Sequence, residues 1–315
     1  MSYPNKVNES SATTGSSRGP DGRTRGLSER NIERALLVCA LTAVSALVLI
    51  TLFIFAEGVP ELLKTGPLGF VFGSAWSPGR EIFGVLPMIV GSIEVTLVAL
   101  VIGVPIAVAC AVFLSEMAPP GAAVLLKALV ELLAAIPSVV YGFVGLTTLV
   151  PLIRRLTDAP GFSVLAASIV LAIMIIPTIT SVSFESLRAV PASYRDGMAA
   201  LGGTRWQAIH MVLLPAAGSG IVAGIILGIG RSLGETMAVL MVAGNAPAIP
   251  TSLLSPVRTL TSNIALEMGY AAGRHRGALF ATAVVLFAMI AVLNGLTRFV
   301  ASRGAVYGRD KQKRR

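Results

Sequence analysis

Charge is the scarcest commodity in this sequence: Asp, Glu, Lys and Arg make up 13% of 315 residues, while 54% are hydrophobic. Soluble domains carry roughly 25% charged residues, so composition alone argues against a water-soluble globule. Histidine and cysteine occur only twice each, as His210, His275, Cys39 and Cys110. The histidines fall in different expected loops and the cysteines in apolar runs, which excludes a metal cluster and a disulfide framework. Neither Gly-Lys-Ser nor Gly-Lys-Thr occurs anywhere. The phosphate-cradling loop of an ATPase is therefore missing, and any ATP-driven process would need its ATPase on another chain.

What the sequence does have is long uncharged runs. Ala35–Ala56, Val95–Ser115, Leu132–Ile153, Ala159–Phe184, a stretch around Arg231, and Gly277–Thr297 are each about 20 residues or more, enough to cross a bilayer core as helix. They lack the period-two alternation of membrane strands, and a helix satisfies its own backbone in lipid. The expected fold is an all-α integral membrane protein of about six transmembrane helices. Residues 1–34 are polar and of low complexity, which reads as a disordered tail. Residues 35–82 read as the first helix and an outer loop, 83–300 as the core, and 301–315 as a basic tail.

The net charge of +9 gathers at the ends: Arg23, Arg25, Arg30 and Arg34 precede the first helix, and Arg298 to Arg315 hold seven cations. Both termini are expected on the cytoplasmic side, with the loop Arg188–Pro215. Arg154 and Arg155 fall on the opposite side against this trend. The basic charge is a topology signal with affinity for anionic lipid and no indication of nucleic-acid binding.

That cytoplasmic loop is the longest polar insertion between helices. Tyr194 to Pro215 reads as a short helix, a glycine break at Gly202-Gly203, and a second short helix stopped by Pro215. Trp206, Ile209 and Met211 would offer apolar contacts to a soluble partner, with Asp196 and Arg205 as polar ones. Asp196, Gly197, Gly202, Leu214 and Pro215, at their spacing, resemble the coupling loop of ABC importer permeases. The family's usual Glu-Ala-Ala opening is here Asp196-Gly197-Met198.

Other segments are similar to phosphate ABC importer permeases, specifically the PstC-type subunit. They are Phe83 to Ser92, Phe113-Leu114-Ser115-Glu116, Ala135 to Gly142 and Gly230 to Asn245. Glu94 departs from that pattern. The resemblance implies the MetI-like permease architecture and a multi-pass protein of a bacterial or archaeal cytoplasmic membrane. It also implies a second, PstA-type permease, two ATP-binding subunits that use the ATP, an extracytoplasmic phosphate-binding protein, inorganic phosphate as cargo, and no cofactor or catalysis in this chain. Permeases for sulfate or molybdate, or an ATP-independent carrier, are the alternatives.

Arg231 and Glu235 interrupt the uncharged run Met211–Val257. A charge near a bilayer centre costs at least about 2.5 kcal/mol, which marks a functional site. At about 100 degrees per residue, Gly220, Gly224, Gly228, Arg231 and Glu235 share one helix face, so a second helix is expected against it. Arginine can fork two hydrogen bonds to an oxyanion, and a carboxylate can accept the hydroxyl that phosphate keeps and sulfate lacks. The bland alternative is an internal i, i+4 ion pair. Pro137 is expected to kink its helix, with Ser138 and Tyr141 as hydroxyl donors along the pathway.

Overall fold

The computed structural model describes residues 22–313, with side chains described for 31–296. Contacts divide the chain into two units, 1–53 and 54–315. In the first, the described chain is the leading part of α1 (Gly22–Thr65), and residues 31–50 are exposed throughout. Its hydroxyls are turned back on the helix: Thr42 donates to the Val38 carbonyl at 3.0 Å, Ser45 to Leu41 at 2.6 Å and Thr51 to Leu47 at 2.8 Å. Such self-satisfaction suits a surface of leucine and valine made for lipid. The helix begins at Gly22, inside the stretch expected as a disordered tail; residues 1–21 lie outside the described residues.

The second unit starts with the end of α1 and continues through α2 (Pro67–Phe72) and a two-stranded antiparallel hairpin, β1 (Trp76–Ser77) with β2 (Ile82–Phe83). Next come α3 (Leu86–Val112), α4 (Pro120–Ala135), α5 (Ser138–Val144), α6 (Val150–Leu156) and α7 (Val164–Arg188). A helical hairpin follows: α8 (Ala192–Ala200), α9 (Arg205–Ala208) and α10 (Leu214–Ala216). The chain closes with α11 (Gly218–Gly234), α12 (Met237–Val242), α13 (Leu260–Glu267) and α14 (Gly273–Lys313), whose helix continues through the stretch expected as a basic tail.

Among the described residues, five helical segments are long and apolar enough to span a membrane, and α9–α10 with α11, bent by 68°, make a sixth when counted as one span. The expectation of about six spans therefore holds, with altered boundaries. The run Leu132–Ile153 is not one helix: α4 stops at Ala135 and the spanning segment is Ser138–Leu156. Pro137 breaks the chain outright instead of kinking it, because Ile136 and Pro137 both adopt extended backbone.

Proline has a second, regular effect. π-helical turns occupy Phe113–Met117, Gly145–Leu149 and Ile209–Leu213, each ending two residues before a proline: Pro119, Pro151 and Pro215. At Pro151 and Pro215, where the helix continues, the wider turn relieves the clash of the ring with the preceding carbonyls and rehouses the bonds that proline cannot make; before Pro119 the helix simply ends, Ala118 being extended. Pro215 consequently does not stop its helix, which runs on to Ala216.

The core is the α3–α7 pair with α11 laid across α7. Small residues let the backbones close: a Cβ added at Gly228 would lie 2.8 Å from Ile179, and one at Gly220 would lie against Ser186. The glycine face inferred from the sequence is therefore real, and its partner is α7 of the same chain. Buried hydroxyls fasten the pair, Ser168 donating to the Val95 carbonyl at 3.1 Å and Thr180 to Ala107 at 3.2 Å.

Candidate functional site

Arg231 sits on the last turn of α11, and Glu235 is not on that helix. The helix ends at Gly234; Glu235 takes φ −70° and ψ 129°, and α12 begins at Met237. The single helical face proposed for Arg231 and Glu235 is thus corrected. A tertiary bond fixes the break, the Thr261 hydroxyl donating to the Glu235 carbonyl at 2.9 Å. One Glu235 carboxylate oxygen accepts from the Ala238 amide at 3.2 Å and so starts α12. No ion pair joins Glu235 to Arg231, and the buried Nε of Arg231 has no hydrogen-bond partner. An unmet buried donor costs about 1–3 kcal/mol, so the position of Arg231 is not explained by stability.

α5 brings Tyr141 to the same region. Gly142 packs on α12 so tightly that an added Cβ would be 2.8 Å from the Ala238 Cα, and Tyr141 lies within electrostatic reach of Arg231. The Tyr141 hydroxyl donates to the Leu133 carbonyl at 2.8 Å, which also accepts the Ile136 amide at 3.3 Å where α4 ends. It holds the α4–α5 break together. Ser138, the first residue of α5, is half-buried and its hydroxyl makes no hydrogen bond among the described residues.

The second cluster is the α8–α10 hairpin. Gly202 turns it with φ +74°, a conformation that a side chain would strain, and Thr204 and Gln207 cap α9 reciprocally at 2.7 and 3.3 Å. Asp196, Gly197, Arg205 and Trp206 are exposed, and Trp206 stacks on His210 with ring centroids 6.3 Å apart. One expected contact changes place. Ile209 is 3% exposed and belongs, with Leu213 and half-buried Leu214, to a core shared with the ends of α3 and α7, whereas Leu201 at the tip is 85% exposed. Leu201, with Trp206 and Met211, supplies the unpartnered apolar surface.

What sequence reasoning missed is the anchor of this hairpin. Arg195 on α8 forks onto Glu116 at 3.0 and 2.6 Å and donates to the carbonyls of Val190 and Leu187 at 3.0 and 3.2 Å. One guanidinium thereby joins α8 to the ends of both α3 and α7. The hydrogen-bonded Glu116 raises the Arg195 pKa above its ordinary value, so the guanidinium stays ionised. The only signal in the sequence is a glutamate closing one apolar run and an arginine in a loop seventy-nine residues later.

At the other end, Glu267 collects Arg258 at 2.7 Å, His275 at 2.8 Å and the Trp76 indole at 2.9 Å. The cluster ties the β hairpin to α13 and α14. Glu267→Gln would strand the Arg258 guanidinium, 15% exposed, without a counter-charge. The expected loss is about 3 kcal/mol, read as a lower thermal midpoint in detergent.

A multi-pass helical bundle with an exposed helical hairpin at one end and unpaired charges at a helix break is the build of a membrane transport component. The family model for the inner membrane component of binding-protein-dependent transport systems matches residues 103–305. The chain belongs to that family, which is one of transport permeases and not of enzymes. It is 40% identical over 291 residues to the probable ABC transporter permease protein YqgH of Bacillus subtilis, covering 90% of this chain and 94% of that one. Against the phosphate transport system permease protein PstC of Pasteurella multocida it is 37% identical over 263 residues, 77% of this chain and 82% of the other. Among solved structures, a bacterial alginate ABC importer aligns with a TM-score of 0.55 at 14% identity, over 87% of this chain and 98% of that one. An inward-facing MetNI methionine transporter aligns with a TM-score of 0.52 at 19% identity, over 70% and 94%. These two show the fold alone.

Proposed function

We propose that the chain is one of two permease subunits of an ATP-driven importer of inorganic phosphate. The observation that carries the reading is the pairing of relatives named as phosphate permeases with an unpaired arginine and a half-free carboxylate at one helix break. Arg231 supplies the fork for the oxyanion, Glu235 accepts the hydroxyl of protonated phosphate, and Ser138 has a free donor. Tyr141 acts by holding the α4–α5 break open to them.

The hairpin supplies the other half of the work. Leu201, Trp206 and Met211, flanked by Asp196 and Arg205, form a knob suited to a cleft in an ATP-binding subunit, and Gly197 and Gly202 give it its shape. Leu214 and Pro215 serve at its root. Two such subunits use the ATP, so this chain needs no cofactor. A PstA-type permease completes the path and an extracytoplasmic binding protein delivers phosphate. The bacterial relatives support a bacterial or archaeal cytoplasmic membrane, and the positive-inside bias supports both termini and the hairpin on its cytoplasmic side.

Reconstitution into vesicles tests this. Phosphate uptake is expected only when ATP, the ATP-binding subunits and the second permease are all present, and excess sulfate should leave it unchanged. Uptake without the ATP-binding subunits would make the chain a carrier, and competition by sulfate would reassign the cargo.

A further inference from the structure

A cavity of about 770 Å³ opens at the end of the molecule that bears the hairpin, between the start of α4 and the end of α7. Its wall is of two kinds. Leu114, Val124 and Phe184 make an apolar side, while Lys127, Arg188 and Arg195 bring three cations and no carboxylate lines it. The cations are not equivalent. Arg195 is fully engaged by Glu116 and two carbonyls, and Lys127 is held by Glu185 at 2.5 Å, which raises its pKa and keeps it charged.

Arg188 forms no ion pair and no hydrogen bond among the described residues; its guanidinium lies 5.6 Å from the centre of the Phe184 ring, with Lys127 4.9 Å from the same ring. The aromatic face gathers two cations beside one void, and only one has its fork open. Val124, which lines the cavity from α4, is itself 73% exposed and carries the apolar side out to the surface.

We infer that this cavity is a binding site for a phosphate ester, and that its occupant is an acidic phospholipid. The Arg188 fork takes the headgroup phosphate and the apolar side formed by Leu114, Val124 and Phe184 takes the start of the acyl chains. Shared chemistry would also admit a free phosphate ion. The cavity is far larger than such an ion, though, and its apolar side serves an acyl chain and has no use for a free anion. The inference rests on membrane insertion of the chain and is independent of which ion the importer carries.

The test uses the intact importer, with its partner permease and ATP-binding subunits, stripped of lipid in detergent. It is offered phosphatidylglycerol or phosphatidylcholine and weighed by native mass spectrometry. The wild type is expected to retain phosphatidylglycerol in preference. Arg188→Gln should lower that retention about tenfold. Arg188→Lys, which keeps the charge and loses the fork, should fall between. Unchanged retention in Arg188→Gln, or equal retention of the two lipids by the wild type, overturns the site; so does retention by the isolated chain that vanishes in the complex, which would mean a partner covers the cavity. Displacement of the lipid by millimolar orthophosphate would overturn the lipid in favour of the free ion. Thermal midpoint and ATP-driven uptake, measured on the same preparations, separate failure of this site from failure of the transport reading.

Discussion

Arg195→Ala is expected to abolish most ATP-driven uptake while leaving phosphate recognition untouched. The guanidinium is the only group among the described residues that bonds α8, α3 and the end of α7 together, through Glu116, Leu187 and Val190. Its removal leaves the Glu116 carboxylate, 11% exposed, without its counter-charge. Stranding a buried partner in this way costs about 3 kcal/mol, so the hairpin should loosen at its root. Movement of the hairpin would then no longer be passed to α3 and α7. If that coupling is worth ~1.4 kcal/mol or more, uptake falls at least about tenfold while ATP hydrolysis by the partner subunits continues. Arg195→Lys should not rescue it, because an ammonium keeps the charge and cannot make the fork. Hydrolysis and uptake measured side by side decide the matter: a parallel loss of both would mean that the complex had failed to assemble. Normal uptake would remove Arg195 from the coupling path.

The contrast between Arg195 and the hairpin it anchors shows where sequence was enough. A helix, a glycine turn and a second helix could be placed because Gly202 and the Thr204–Gln207 cap are local devices, readable within a few residues. The glycine face of α11 was equally visible, since a four-residue spacing needs only helical geometry. Which of two neighbouring apolar residues points outward was not visible. Ile209 is drawn into the core by Leu213 and by helices far away in sequence, leaving Leu201 as the exposed tip.

The break after Gly234 was hidden for the same reason. Locally, Ser232 to Val239 has no helix breaker beyond one glycine, and the interruption is fixed by a hydroxyl from Thr261, twenty-six residues downstream. Pro137 was legible as a disturbance, but its full effect depends on Tyr141 reaching back to Leu133. The Glu267 cluster joins residues up to 191 positions apart and leaves no trace in any local pattern.

The break at Gly234 also separates the two accounts of Arg231. Had Arg231 and Glu235 been an ion pair on one helix, Arg231→Gln would strand a carboxylate and destabilise the protein. The structure has no such pair, and Glu235 is engaged instead with the Ala238 amide. Arg231→Gln is therefore expected to leave the thermal midpoint near that of the wild type and to lower phosphate uptake. Loss of a charge-assisted fork corresponds to a fall between about tenfold and a hundredfold. Glu235→Gln should behave differently. The amide oxygen can still accept from Ala238, so α12 forms, but the carboxylate that accepts the phosphate hydroxyl and repels a fully ionised oxyanion is gone. Phosphate uptake should drop less than in Arg231→Gln, and sulfate should begin to compete. Uptake of labelled phosphate with and without excess sulfate, in wild type and both variants at equal membrane abundance, reads this directly. A lowered thermal midpoint in Arg231→Gln with uptake preserved would make the residue structural, and continued indifference to sulfate in Glu235→Gln would take selectivity away from the carboxylate.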